Sequence, residues 1–168
     1  MDDGSHAVLP LGVFGVFAMQ REFEQLREEL LVLAGAIPRE ERSAIASYLR
    51  AGAIVFAFME WTTDVVGAFR KPRLDRKKVT GTHILDVVGG AFDTAGGSGI
   101  CTDGFYYWRA DAADYVEHYG IGLPEDFLRH GRSSGWIAPP TMTEEEVFPV
   151  HEYLVKHGRR LRSANDGT

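Results

Sequence analysis

Few residues in this chain have the chemistry to act on a substrate, and they are scattered. Cys101 is the one cysteine, and five of the six histidines stand at His83, His118, His130, His151 and His157. A cysteine hydrolase or transferase needs a thiolate activated by a close histidine and a third group that orients it. No spacing brings a histidine to Cys101, and free cysteine is among the most buried residue types, so packing is the competing reading. Asp114 and His118 are four apart on one predicted helix face. They can offer two ligands to one ion, but a metal site needs more from other segments, and a surface ion pair is the plainer reading. Residues Gly89–Gly99 hold five glycines but lack the Lys-Ser/Thr of a phosphate loop, and strand-like residues follow them. They read as a connection between strands. No metal and no cofactor is expected.

Charge and aromatic residues offer more. The chain carries 18 Lys and Arg against 24 Asp and Glu, a net −6. Arg70, Lys71, Arg73, Arg76, Lys77 and Lys78 crowd into one segment with Asp75, and could meet phosphates as a nucleic-acid-binding loop. The strongly acidic remainder opposes that, and favours a solvated loop or an internal partner for the acidic half. Between Asp103 and Glu152 ten acids face three arginines. The same half holds Phe105, Tyr106, Tyr107, Trp108, Tyr115 and Tyr119. Asp103, Tyr106, Trp108, Asp111, Asp114 and Glu117 therefore make a candidate face for a basic protein, with aromatic anchors inside an acidic rim. Burial of the aromatics in the core is the alternative.

These residues depend on the elements that carry them. Phe23, Leu26, Leu30 and Leu33 mark an amphipathic helix over about Gln20–Leu33, stopped at Gly35. Pro38 at a first helical position opens a second helix, with Ile45, Tyr48 and Leu49 inward and Gly52 closing it. Ala53–Glu60 reads as a central strand buried on both faces, and Val79–Val88 as another strand. Asp103-Gly104 between two apolar runs predicts a hairpin with a type I′ turn. Asp111, with Asp114 three residues on, is placed to cap a helix over Ala112–Tyr119. A further helix starts at Leu123-Pro124-Glu125-Asp126 and stops at Gly131. Thr143 and Glu146 make a capping box for a last one, Glu144–His157.

The pattern predicts an α+β fold in a single domain, 1–168: a small, mainly antiparallel sheet of about four strands, an N-terminal helical hairpin and three C-terminal helices. Residues 1–6 and 160–168 read as flexible tails. The apolar run Ala7–Met19 is broken by Pro10, Gly12 and Gly15 and falls short of a membrane span. Asp2 and Asp3 stand where a secretory leader would be basic. A cytoplasmic protein that does not meet the membrane is expected.

The run Thr102-Asp103-Gly104-Phe105-Tyr106-Tyr107-Trp108-Arg109-Ala110-Asp111 is followed by Ala113-Asp114-Tyr115-Val116 and Leu123-Pro124-Glu125-Asp126-Phe127-Leu128. It resembles small bacterial immunity proteins of polymorphic toxin systems, in which an aromatic hairpin runs into a helical pair. The resemblance covers about residues 100–130. It implies a non-enzymatic inhibitor that occludes a cognate toxin or effector, with no catalytic residues to carry over.

Overall fold

The computed structural model describes residues 7–15, 23–57, 79–80, 83–92 and 99–165. The first helix, α1, is Phe23–Leu33, with Leu26 and Leu30 buried; its expected start at Gln20 lies outside the described residues. Helix α2, Arg39–Arg50, begins one residue after Pro38, which takes the cap position. Glu40 and Glu41 sit in its first turn, where the helix dipole favours them, and Ile45, Ala46, Tyr48 and Leu49 are buried.

Four strands form the main sheet: β1 (Leu9–Pro10), β2 (Ala53–Ala57), β5 (Gly99–Thr102) and β6 (Tyr106–Arg109), in the order β1-β6-β5-β2. Two pairings are antiparallel, and β1 joins β6 in parallel, Leu9 opposite Tyr106. A separate pairing links β3 (Val79–Thr80) to β4 (His83–Ile84).

Two strand expectations are corrected. Of the expected strand Ala53–Glu60, residues 58–60 lie outside the described residues; β2 is not central among the described strands but ends the sheet order, with a bulge between Ile54 and Phe56 and Ile54 exposed. An unbroken apolar run reads as burial on both faces, but the run itself does not reveal whether other elements cover both faces. Nor is Val79–Val88 one strand. After β4 the chain turns, because the Asp86 carboxylate collects the backbone N–H groups of Val88, Gly89, Ala91 and Phe92.

The hairpin of β5 and β6 forms, but its turn is not type I′, which needs positive φ at both central residues. Gly104 alone has it (φ 93°), and Asp103 does not.

Three helices follow: α3 (Ala112–Tyr119), α4 (Glu125–Ser133) and α5 (Glu144–Asn165). Asp111 holds the cap position of α3 but makes no side-chain capping bond, so the expected capping box is absent there. Its carboxylate is held by Arg109 instead. Helix α4 does not stop at Gly131 but runs on to Ser133, and a side chain at Gly131 would collide with the Trp136 ring. At Thr143 the capping box is made: the Thr143 N–H donates to Glu146 at 2.7 Å, and the Glu146 N–H reaches the Thr143 hydroxyl at 3.4 Å. Helix α5 carries Pro149 and continues past Gly158 through most of the expected tail.

The architecture is α+β, a mixed four-stranded sheet between helical layers. Cys101 and Trp108 face a cluster that includes Leu30, Ile45, Leu49, Tyr115, Val116 and Phe127. Ile100 and Tyr107 face the other way, onto Val8 and onto Val150 and Leu154 of α5. Among the described residues no helix is long and apolar enough to cross a membrane.

Trp108 is the largest fully buried side chain among the described residues, and its indole N–H donates to the Leu49 carbonyl at 3.2 Å. Gly52 is needed beneath it, since a methyl there would press into the six-membered ring and the Thr102 carbonyl. Gly52→Ala should therefore lower unfolding stability by about 1–3 kcal/mol, the usual cost of overpacking. Gly35→Ala meets no neighbour within 4 Å and bears only the strain of a positive φ, about 1 kcal/mol. Urea unfolding followed by tryptophan fluorescence checks both.

Candidate functional site

The hairpin tip is built by one carboxylate. Asp103 is buried, accepts the Tyr48 hydroxyl at 2.8 Å, and accepts the N–H groups of Phe105 at 2.9 Å and Tyr106 at 2.7 Å. Thr102 completes the brace, its hydroxyl donating to the Tyr106 carbonyl at 2.6 Å and receiving the Gly104 N–H at 3.0 Å. The Tyr48 hydroxyl is pushed well above its ordinary pKa, by burial first and by its bond to Asp103 next.

This bracing lifts Phe105 into solvent at 67% exposure. Leu9 lies beside it, its N–H donating to the Phe105 carbonyl at 2.8 Å, and its side chain is exposed too. The Phe105 ring centre is 6.4 Å from that of His130, and a side chain at Gly104 would meet Met142. Tyr106, half-buried, sets its ring edge-on to Phe127. Asp126, on α4, is near enough to raise the Tyr106 hydroxyl, after burial, which contributes most.

The six residues expected to form one acidic, aromatic face do not do so. Trp108 is wholly buried, and so is Asp111, gripped by Arg109 through bonds of 3.0 and 2.8 Å. Asp103 has turned inward and Tyr106 is half-covered. Asp114 and Glu117 do reach the surface, where both receive Arg50 of α2, at 2.8 and 2.5 Å. The Arg50 bond holds Glu117 below the usual carboxylate range. A buried charge must find a partner, and the acids nearest the hairpin found theirs inside the protein. The exposure of Phe105 has a visible signal in the chain: it is next to Asp103-Gly104, at the place where a tight turn interrupts the strand alternation.

Cys101 is buried at 6% exposure, and burial, with the Asp111 charge behind it, pushes the thiol up to about 11. It is a neutral thiol near pH 7, not an activated nucleophile. The described histidine side chains lie against other rings: His118 on Phe92, His151 on Phe56, His157 on Tyr153 and His130 near Phe105. Among the described residues no group of three His, Cys, Asp or Glu could hold an ion. The basic segment Arg70–Lys78 lies outside the described residues.

The start of the glycine stretch is a nest for the chain's own anion. Asp86 accepts backbone N–H groups from Val88 and Gly89, both at 2.9 Å, from Phe92 at 3.2 Å and from Ala91, and the Tyr119 hydroxyl at 2.9 Å. These amides are the donors a phosphate would need, and a carboxylate already holds them.

No family model, curated protein or solved structure matches this chain.

Two predictions follow from these groups. Cys101 should resist iodoacetamide in the native protein and react at once in 6 M guanidinium chloride (a reagent of about twice the strength of urea), as mass spectrometry of the intact chain can show. Burial alone would raise the Asp86 pKa, but its hydrogen bonds with Gly89, Tyr119, Phe92 and Ala91 bring it below the ordinary 3.8. A depressed folded pKa contributes stability that is complete above the unfolded value and is lost as pH falls through the folded one. Asp86→Asn should thus be less stable at neutral pH and show a shallower loss of stability below about pH 4, measured by denaturant unfolding across pH.

Proposed function

We propose that this chain is a non-enzymatic binding protein of the immunity type, which works in the cytoplasm by occluding a basic toxin or effector. The observation that carries the reading is the charge left on the surface of the C-terminal half. With Asp103, Arg109 and Asp111 turned inward, residues 103–152 still present Asp114, Glu117, Glu125, Asp126, Glu144, Glu145, Glu146 and Glu152 against Arg129 and Arg132 alone. Arg129 pairs with Asp126 at 3.1 Å, and Arg50 of α2 sits on Asp114 and Glu117, so three arginines stand against these eight acids and the excess of negative charge remains. Such a field steers a basic protein and repels nucleic acid. The neutral thiol of Cys101 also supports a binding role over a cysteine-dependent one.

The test is affinity capture from a lysate of the source cell at moderate salt, with mass spectrometry of what is retained. One basic protein held in near-equal amount is the expected result. Its association with a Glu125→Lys/Glu145→Lys/Glu152→Lys variant should be slower, with the larger effect at low salt. Equal association rates at all salt concentrations, or capture of nucleic acid instead, would sink the reading.

A further inference from the structure

We infer that Trp136 is a latch: the connection between α4 and α5 releases its ring from a seat against Tyr48 and Phe127 while the rest of the fold stays intact, and that release loosens the turn of the β5–β6 hairpin. Such a device needs no partner to operate. Among the described residues Trp136 is the one non-glycine with positive φ, at 55°. A bulky side chain rarely occupies that region, and such strain persists only where the surroundings impose it. Here the end of α4 and the ring's seat impose it together. Gly135 takes the left-handed position of a Schellman motif at φ 65°, its N–H donating to the Arg132 carbonyl at 3.2 Å. The Trp136 N–H closes the motif on the Gly131 carbonyl at 2.8 Å. An apolar contact between the residues at these two places often accompanies the motif. In this chain a Cβ at Gly131 would collide with the Trp136 ring, whose centre lies 5.8 Å from that of Tyr48 and 5.7 Å from that of Phe127. Beyond the ring the chain is loosely held. Ile137 is 74% exposed, Ala138, Pro140 and Thr141 are exposed as well, and among the described residues no hydrogen bond ties residues 137–142 to another element. Strain and anchorage therefore meet in one side chain, and segments with few such ties open below the free energy of global unfolding.

The seat is shared with the hairpin. The Tyr48 hydroxyl donates to Asp103 at 2.8 Å, and Asp103 in turn accepts the N–H groups of Phe105 and Tyr106. Phe127 stands edge-on to Tyr106, with ring centres 5.3 Å apart. Both rings that hold Trp136 thus also back the turn, and its release takes a neighbour from each. Coupling between two sites is reciprocal, so a change that breaks the bond between Tyr48 and Asp103 also favours release of Trp136.

The test labels the full chain with fluorotryptophan and follows it by fluorine NMR, with Trp136→Phe assigning the resonance. Gly131→Ala places a methyl where the ring sits, yet suits the helix better than glycine does. In that variant the Trp136 resonance should move toward its position in the unfolded chain, while the Trp108 resonance stays in place. Amide exchange at Phe105 and Tyr106 should quicken roughly tenfold, a usual size of coupling, against a change within about twofold at Leu30 and Val116. Tyr48→Phe keeps the ring and loses the bond to Asp103, and should move the Trp136 resonance part-way in the same direction. In the unmodified protein, saturation transfer should find a minor released state at Trp136 and none at Trp108, which keeps a readout if Gly131→Ala fails to fold. A Trp136 resonance that stays put in Gly131→Ala would overturn the latch. Its displacement with unchanged exchange at Phe105 and Tyr106 would overturn the link to the hairpin. Trp108 shifting in step with Trp136, or no minor state in the unmodified protein, would leave only global unfolding and overturn both.

Discussion

A carboxylate taken out of water must be given hydrogen-bond donors, and Asp103 obtains three from within the fold. Two are backbone amides of its own turn, and the third is the hydroxyl of Tyr48, which belongs to α2. One side chain therefore shapes the turn and ties it to a helix that lies 55 residues earlier in the chain. Asp86 and Asp111 obey the same constraint. Asp86 gathers the amides that follow it and the Tyr119 hydroxyl, and Asp111 takes both arms of the Arg109 guanidinium. In each case the acid organises local backbone or pins one element to another.

Between these polar ties the packing is carried by aromatic rings that need small neighbours. Trp108 fills the space between the sheet and the end of α2 because Gly52 presents no side chain there. Trp136 lies over Gly131, and its ring meets both Tyr48 and Phe127. Phe127 in turn meets Tyr106. The hairpin is thus backed by rings as well as by Asp103, and its solvent-facing residues rest on a closely packed base.

Much of this was legible in the chain. The helices announced themselves through the spacing of Leu26, Leu30, Ile45 and Leu49 and through the Thr143–Glu146 box, since those signals are local. The hairpin was legible for the same reason. The errors fell where the deciding partner is remote. Gly131 reads as a helix stop, whereas α4 runs on to Ser133 and Gly131 is a clearance for Trp136; Gly52 does follow the end of α2, but its second role as a clearance for Trp108 is not visible in the chain. Asp103 and Asp111 read as surface acids because nothing in their immediate sequence reveals Tyr48 or shows that Arg109 points inward. An acid count carries no information on which acids are buried, so the inward turn of Asp103 and Asp111 was not legible.

The parallel pairing of β1 with β6 bears on how the chain comes together. Leu9 and Tyr106 are partners across about a hundred residues, so closing that pair carries the loop-entropy cost of a non-local contact. During synthesis α1 and α2 are complete long before β6 leaves the ribosome, and for that interval Val8, Leu11 and Phe14 have no sheet against which to hide. Contacts of such high sequence separation slow folding relative to a helical hairpin. The nascent N-terminal apolar segment is then the part of this protein with the longest exposure to chaperones and to misassembly.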